Sequence, residues 1–168
     1  IRTVDTGLLF PETYQFIEEL RGRFNLNLSV FKTTLDVERF KREHAHLPIG
    51  HPEFCCSEYK VEAMQRALEG LRCWITGISR SEAPTRAKTP FVEILTTGLV
   101  KVAPLAAWTD KDIQAYMTKH KLPYHPLLYQ GYTSIGCWPC TQRPVDPKNP
   151  RSGRWAGQDK TECGIHDI

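Results

Sequence analysis

The chain has 168 residues, 40% hydrophobic and 24% charged, with 22 Lys and Arg against 19 Asp and Glu. That profile excludes a disordered chain, and no apolar run approaches the roughly 18 residues needed to cross a bilayer. A net charge of +3 is too mild to suggest nucleic acid as a partner, although basic residues can still converge on a small anion.

The chain begins with Ile1, and "IRTVDTG" reads as the end of a strand running into a turn, so the natural N-terminus is expected to lie upstream. Pro11 suits the first turn of a helix, where its missing N–H costs nothing. "PETYQFIEELRGRF" places Tyr14, Ile17, Leu20 and Phe24 at helical spacing, with acidic residues early and arginines late. "LNLSVF" alternates as a strand does. "LDVERFKREHA" predicts a second helix and "LPIGHPEF" a loop. Ser57 is the expected N-cap of "EYKVEAMQRALEG", with Val61, Met64, Leu68 and Leu71 as its inner stripe and Gly70 as its stop. "CWITGI", "FVEIL" and "LVKVAPL" read as strands, and Cys73 in the first of them as a small core residue. "WTDKDIQAYMTKH" has Thr109 as N-cap with Asp112 three residues on.

Strands alternating with helices predict an α/β domain with a mostly parallel sheet. Beyond Leu122 no period is sustained. The length favours a single domain over residues 1–168, an α/β core over 1–122 followed by an irregular segment over 123–168. A long run without regular structure is usually functional or disordered, and its aromatic, Cys and Arg content argues against disorder.

Six cysteines stand at positions 55, 56, 73, 137, 140 and 163. A chain of this length needs no disulfide staples, so metal or redox chemistry in a reducing, cytoplasmic setting is the better expectation. Cys55 with Cys56 and Cys137 with Cys140 form two tight pairs. Four thiolates suit a structural zinc or an iron–sulfur cluster. Zinc favours ligands two to four residues apart, which Cys137 and Cys140 satisfy and the adjacent pair does not. A cubane presents two irons on neighbouring corners, and this spacing therefore favours one 4Fe–4S cluster over zinc, with two unrelated pairs of buried thiols as the plainer alternative. Cys163, near the end in "KTECGIH", is a candidate nucleophile, since nearby cations favour the thiolate. An inert tail thiol is the competing reading. Lys60 lies one helical turn beyond Cys56. With Arg86, Arg151 and Arg154 it points to an anionic substrate, because guanidinium forks match phosphate and sulfate oxygens.

The segments "VDTGLLFPETY", "CCSEYK", "WITGISRSEAPTR", "GYTSIGCWPCT", "RSGRW" and "TECGIH" resemble, in that order, the assimilatory adenylyl-sulfate (adenosine 5′-phosphosulfate) reductases. The resemblance implies the adenine nucleotide alpha-hydrolase-like, Rossmann-like fold. It implies a 4Fe–4S cluster held by Cys55, Cys56, Cys137 and Cys140, with Lys60 between cluster and substrate. Arg86, Arg151, Arg154 and His166 would bind the phosphosulfate, and the backbone near Thr6 and Gly77 would line the adenosine pocket. Cys163 would attack sulfur, and thioredoxin or a similar dithiol would then release sulfite. The family's upstream strand and glycine/serine-rich phosphate loop are not in this sequence. Relatives acting on the 3′-phosphorylated nucleotide share the fold and the tail, so that substrate, alone or alongside the first, is the alternative. A zinc domain that binds nucleotides without redox turnover is a further one. A homo-oligomer is compatible with all of these, and no membrane partner is expected.

Overall fold

The computed structural model describes residues 1–34, 42, 55–166 and 168. The helix expected over 35–45 and the loop expected over 47–54 lie outside the described residues, Arg42 apart. The chain divides into two compact units, Ile1–Ala67 with His125–Ile168, and Leu68–Tyr124.

In the first unit, strand β1 (Arg2–Asp5) pairs in parallel with β2 (Ser29–Lys32), in register from Arg2 opposite Ser29 to Asp5 opposite Lys32. Two parallel neighbours need a crossover, which helix α1 (Pro11–Arg23) supplies. Pro11 opens it, Glu12 lies in its first turn, and Arg21 and Arg23 lie in its last. Its inward stripe differs from the expected one. Thr13, Phe16, Ile17 and Leu20 are half-buried, whereas Tyr14 and Phe24 are exposed. Phe16 takes the inner place, edge-on to His125 with ring centroids 5.2 Å apart.

Helix α2 (Glu62–Leu68) is preceded by a π-helical turn, Cys56–Val61. The N–H of Glu62 bonds back to the carbonyl of Ser57, five residues earlier, and Cys55 already has helical dihedrals. Ser57 is therefore inside the turn and is not its N-cap. The face presented inward also differs from the expected one. Tyr59, Ala63 and Ala67, at i, i+4 and i+8, are the buried residues, while Val61, Met64 and Leu68 are only partly covered. Gly70, at φ +71°, ends the segment as expected.

The second unit holds strands β3 (Cys73–Ile75), β4 (Val92–Ile94) and β5 (Val100–Val102) in the order β3-β5-β4. Strand β5 runs parallel to β3 and antiparallel to β4. The β4–β5 hairpin turns at Gly98, whose φ of +82° suits glycine. Cys73 is exposed and not a core residue. In a strand successive side chains alternate, and here Trp74 takes the inner face, beside its register partner Lys101 at 5.4 Å, leaving Cys73 and Ile75 outside. Helix α3 (Asp110–Lys119) starts as expected. The N–H of Asp112 donates to Thr109 Oγ1 and the N–H of Thr109 to Asp112 Oδ2.

After Leu122 the described backbone has neither α-helix nor strand, only short 3₁₀ turns at Pro126–Gln130 and Trp138–Cys140. Its order comes from short seams. Leu9 bridges Cys137, and the N–H of Trp138 donates to the carbonyl of Leu8 at 2.8 Å. Thr141 bridges Arg154 in an antiparallel pair whose flanking bonds are Gln142 N–H to Gly153 O, 2.9 Å, and Trp155 N–H to Cys140 O, 3.0 Å.

Candidate active site and cysteine pocket

Those seams gather three stretches of the first unit, 5–9, 137–142 and 151–155, around the start of the π-helical turn. The pocket they form is lined by Thr6, Cys55, Cys56, Lys60, Cys137, Cys140, Arg154 and Trp155. All four paired cysteines are buried and carry free thiols. The adjacent pair diverges as a helical start requires. Cys55 packs with Cys137, Leu8 and Tyr59, while Cys56 packs with Cys140 and Trp155. Each half of one pair thus meets one half of the other, across some 80 residues of chain.

Burial pushes the Cys55 thiol up to about 12, and the neighbouring Cys137, Cys140 and Cys56 add to the rise. Burial likewise pushes Cys140 up to about 11 and raises Cys56, with the Lys60 ammonium opposing both. At neutral pH such thiols keep their protons unless a strongly cationic centre stands among them. Among the described residues no three His, Cys, Asp or Glu side chains converge closely enough for a single metal ion. The four cysteines line one pocket.

Polar groups also face that pocket. Thr6 is buried by the turn after β1, and its Oγ1 lies 3.3 Å from Cys137 Sγ. Asp5 holds this turn, accepting from the N–H of Gly7 at 2.8 Å and from the Tyr14 hydroxyl at 2.7 Å. Burial and the Asp5 carboxylate push the Tyr14 phenol up to about 12. The Trp155 indole N–H and the Arg154 Nε–H are buried with no acceptor among the described residues. The Arg154 guanidinium stacks 4.5 Å from the Trp155 ring and donates from Nη1 to Ser134 Oγ and the Ile135 carbonyl. Residue 136 is glycine, and a Cβ there would sit 2.3 Å from Arg154 Nη2, so the guanidinium would have to shift to admit one. Burial, and then the neighbouring Arg151, lower the Arg154 pKa.

Cys163 is partly buried and packs against Cys56, Cys140 and Trp155. The candidate nucleophile and the four paired thiols thus share one neighbourhood, although more than 100 residues separate Cys56 from Cys163. Arg151 bonds to the tail at Thr161 and Glu162 and lies 6.0 Å from the Trp155 ring. His166 is partly buried in the turn after Gly164 and does not line the pocket. Arg86 and Gly77 belong to the second unit, where Arg86 ion-pairs with Glu82 and Gly77 borders Leu105. Three residues here were not singled out from the sequence. They are Trp155, Glu162 and Lys160, whose ammonium acts on Cys56. The one available signal was their position inside "RSGRW" and "KTECGIH".

The α/β architecture is that of the adenine nucleotide alpha-hydrolase-like fold. The crystal structure of a Candida auris phosphoadenylyl-sulfate (PAPS) reductase in a phosphate complex superposes with TM-score 0.68 and 29% identity, covering 82% of this chain and 70% of that one. A Candida glabrata FMN adenylyltransferase with FAD and pyrophosphate shares the fold at TM-score 0.62 and 17% identity, over 96% of this chain and 56% of that one. The phosphoadenosine phosphosulfate reductase domain matches residues 3–143, and the chain belongs to that family. An adenosine 5′-phosphosulfate reductase of Rhodococcus opacus is 42% identical over 165 residues, 97% of this chain and 67% of that protein. Adenosine 5′-phosphosulfate reductase 1 of Bacillus subtilis is 43% identical over 167 residues, 98% and 72% of the respective chains.

Proposed function

We propose that the chain reduces adenylyl sulfate to sulfite and AMP in sulfate assimilation, with Cys163 as nucleophile and a thioredoxin-class dithiol as reductant. The observation that carries this reading is the packing of Cys163 against Cys56, Cys140 and Trp155, which brings a thiol to a pocket walled by Lys60 and Arg154.

The Cys163 thiolate attacks the sulfate sulfur, forming the S–S bond as the sulfur–oxygen bond to phosphate breaks and AMP leaves. The product on the chain is a Cys163 S-sulfonate. One thiolate of the dithiol then attacks Cys163 Sγ, and sulfite departs with the electron pair of the broken S–S bond. The second thiol resolves the mixed disulfide and restores Cys163. Sulfur gains two electrons and the dithiol loses them. Phosphate is a good leaving group, so the protein's task is to align the thiolate and to offset repulsion between anions. Lys60, Arg154 and Arg151 supply cations, and His166 and the backbone near Thr6 complete the binding set proposed for the first unit.

Cys55, Cys56, Cys137 and Cys140 would hold a 4Fe–4S cluster. Four buried cysteines lining one pocket, with Trp155 in the same lining and Thr6 Oγ1 3.3 Å from Cys137 Sγ, fit that group. When bound it supplies the positive centre that the thiolates need and a fixed electrostatic field beside the sulfonate. Thr6, Lys60 and Trp155 would donate to its sulfurs or to those of its ligands. Anaerobically isolated protein should be brown and hold equal iron and labile sulfide, whereas colourless protein with one zinc would favour a non-redox nucleotide-binding domain.

The reaction is tested with Cys163→Ser, which should release no sulfite and form no covalent sulfonate while keeping its iron. Sulfite production at the unaltered rate would remove the proposal. The similarity to the Candida auris enzyme carries a second reading, use of the 3′-phosphorylated nucleotide, and kcat/KM for the two nucleotides decides between them.

A further inference from the structure

The stretch of chain that carries Cys163 is fastened through one arginine. Arg151 Nη2 donates to the Thr161 carbonyl at 3.0 Å and to Glu162 Oε2 at 3.3 Å. Both charged side chains are largely buried, 17% and 21% exposed, so this pair is screened far less than a surface one. Just past the pair, Cys163 lies on Cys56, Cys140 and Trp155. Gly164 follows at φ +78°, close enough to the π-helical turn that a Cβ would lie 3.6 Å from Val61 Cγ2. Upstream the chain passes Gly157, at φ +79° with nothing within 4 Å. The tail is thus a strap with an open pivot at 157 and an ionic fastening at 161–162.

A carboxylate next to a nucleophile that must approach an anionic ester is unfavourable by itself. Pairing it with Arg151 offsets that charge and fixes the backbone on which Cys163 stands. We propose that Glu162 is a positioning residue, whose ion pair with Arg151 latches the tail with Cys163 at the pocket and whose release hands the same thiol to the reductant. The inference deepens the reaction proposed above and rests on it for the identity of that second partner.

The latch is read on full-length, cluster-loaded protein by two probes that need no substrate. Endoproteinase Lys-C cuts after Lys160, at the strap itself, and iodoacetamide alkylates Cys163, with exposed Cys73 as internal reference. Both report the fraction of open tail when reclosing is fast. Glu162→Gln should raise both rates about tenfold, the equivalent of about 1.4 kcal/mol, with Cys73 alkylation unchanged. The double exchange R151E/E162R should return Lys-C cleavage to within about threefold of wild type, although it removes an arginine from the binding set. Wild-type rates in Glu162→Gln, or an exchanged pair cleaved as fast as Glu162→Gln, would overturn the latch. The reaction is judged separately, by the sulfonate on Cys163, so the two can fail independently.

Discussion

Replacing Gly153 with alanine tests whether the cysteine pocket is held by the backbone seam between 140–142 and 153–155. A methyl group there would lie 2.1 Å from the Gln142 carbonyl oxygen and 2.8 Å from that of Arg143. Both are main-chain atoms and neither can swing aside as a side chain does. Relief requires the two strands to part by about an ångström, which stretches the bonds Gln142 N–H to Gly153 O and Trp155 N–H to Cys140 O beyond useful length. Two such bonds contribute about 1 kcal/mol each, and forced overpacking adds about 1–3 kcal/mol. The expected loss is therefore about 3–5 kcal/mol, a large share of a typical domain's stability. Gly22 provides the contrast. It lies in α1 with open space where its Cβ would be, so Gly22→Ala should stabilise by about 0.5–1 kcal/mol through helix propensity. Urea titrations of the two variants and the wild type measure both shifts, and alkylation of the buried Cys55, Cys56, Cys137 and Cys140 reports on the pocket. Gly153→Ala within about 1 kcal/mol of wild type, with those four thiols as protected as in the wild type, would falsify the seam as the pocket's support.

His125 should make stability fall in mild acid. Its Nδ1 accepts the Leu127 N–H at 3.2 Å, so the neutral ring carries its proton on Nε2 and donates to Thr13 Oγ1 at 2.9 Å. Burial lowers its pKa and nearby Glu12 opposes the shift. A depressed histidine pKa means the unfolded chain binds the extra proton first. The contribution is complete above about pH 6.5 and is lost as pH falls through that value toward the lower folded one. Urea midpoints should drop over that window in the wild type and less so in His125→Gln; parallel curves would count against it. Tyr14→Phe removes one of the donors to buried Asp5 and should cost about 1–2 kcal/mol in the same titration. No change would mean that the Asp5 turn does not depend on α1.

The regular elements were largely legible because their signals are local. Pro11 and the charge gradient set the ends of α1, the Thr109–Asp112 pair set the start of α3, and Gly70 stopped α2. What the sequence hid is set by geometry that crosses elements. The π-helical turn leaves no compositional mark, and the inner face is Tyr59, Ala63 and Ala67, whose small alanines read as weaker core signals than Val61 and Met64. Cys73 was misplaced because a three-residue strand offers no period from which to tell its inner face from its outer one. At the site, the two cysteine pairs stood out by spacing alone, and the structure lines one pocket with them. Trp155 and Glu162 were hidden because their roles depend on where an aperiodic segment folds back, and Trp155 adopts φ +48°, a conformation that no propensity scale anticipates for tryptophan.

The pocket's position along the chain has a consequence for how the protein is made. Cys55 and Cys56 leave the ribosome about 80 residues ahead of Cys137 and Cys140, several seconds at usual elongation rates. During that interval the first pair of thiols is a bare dithiol. Residues Leu68–Tyr124, synthesised in between, form a unit with its own three-stranded sheet and helix α3, so they can collapse before the second pair appears. Closing the pocket then no longer means joining the ends of a long flexible loop. Completion of the four-cysteine pocket is therefore a late event in biogenesis, and until then Cys55 and Cys56 stand without the second pair.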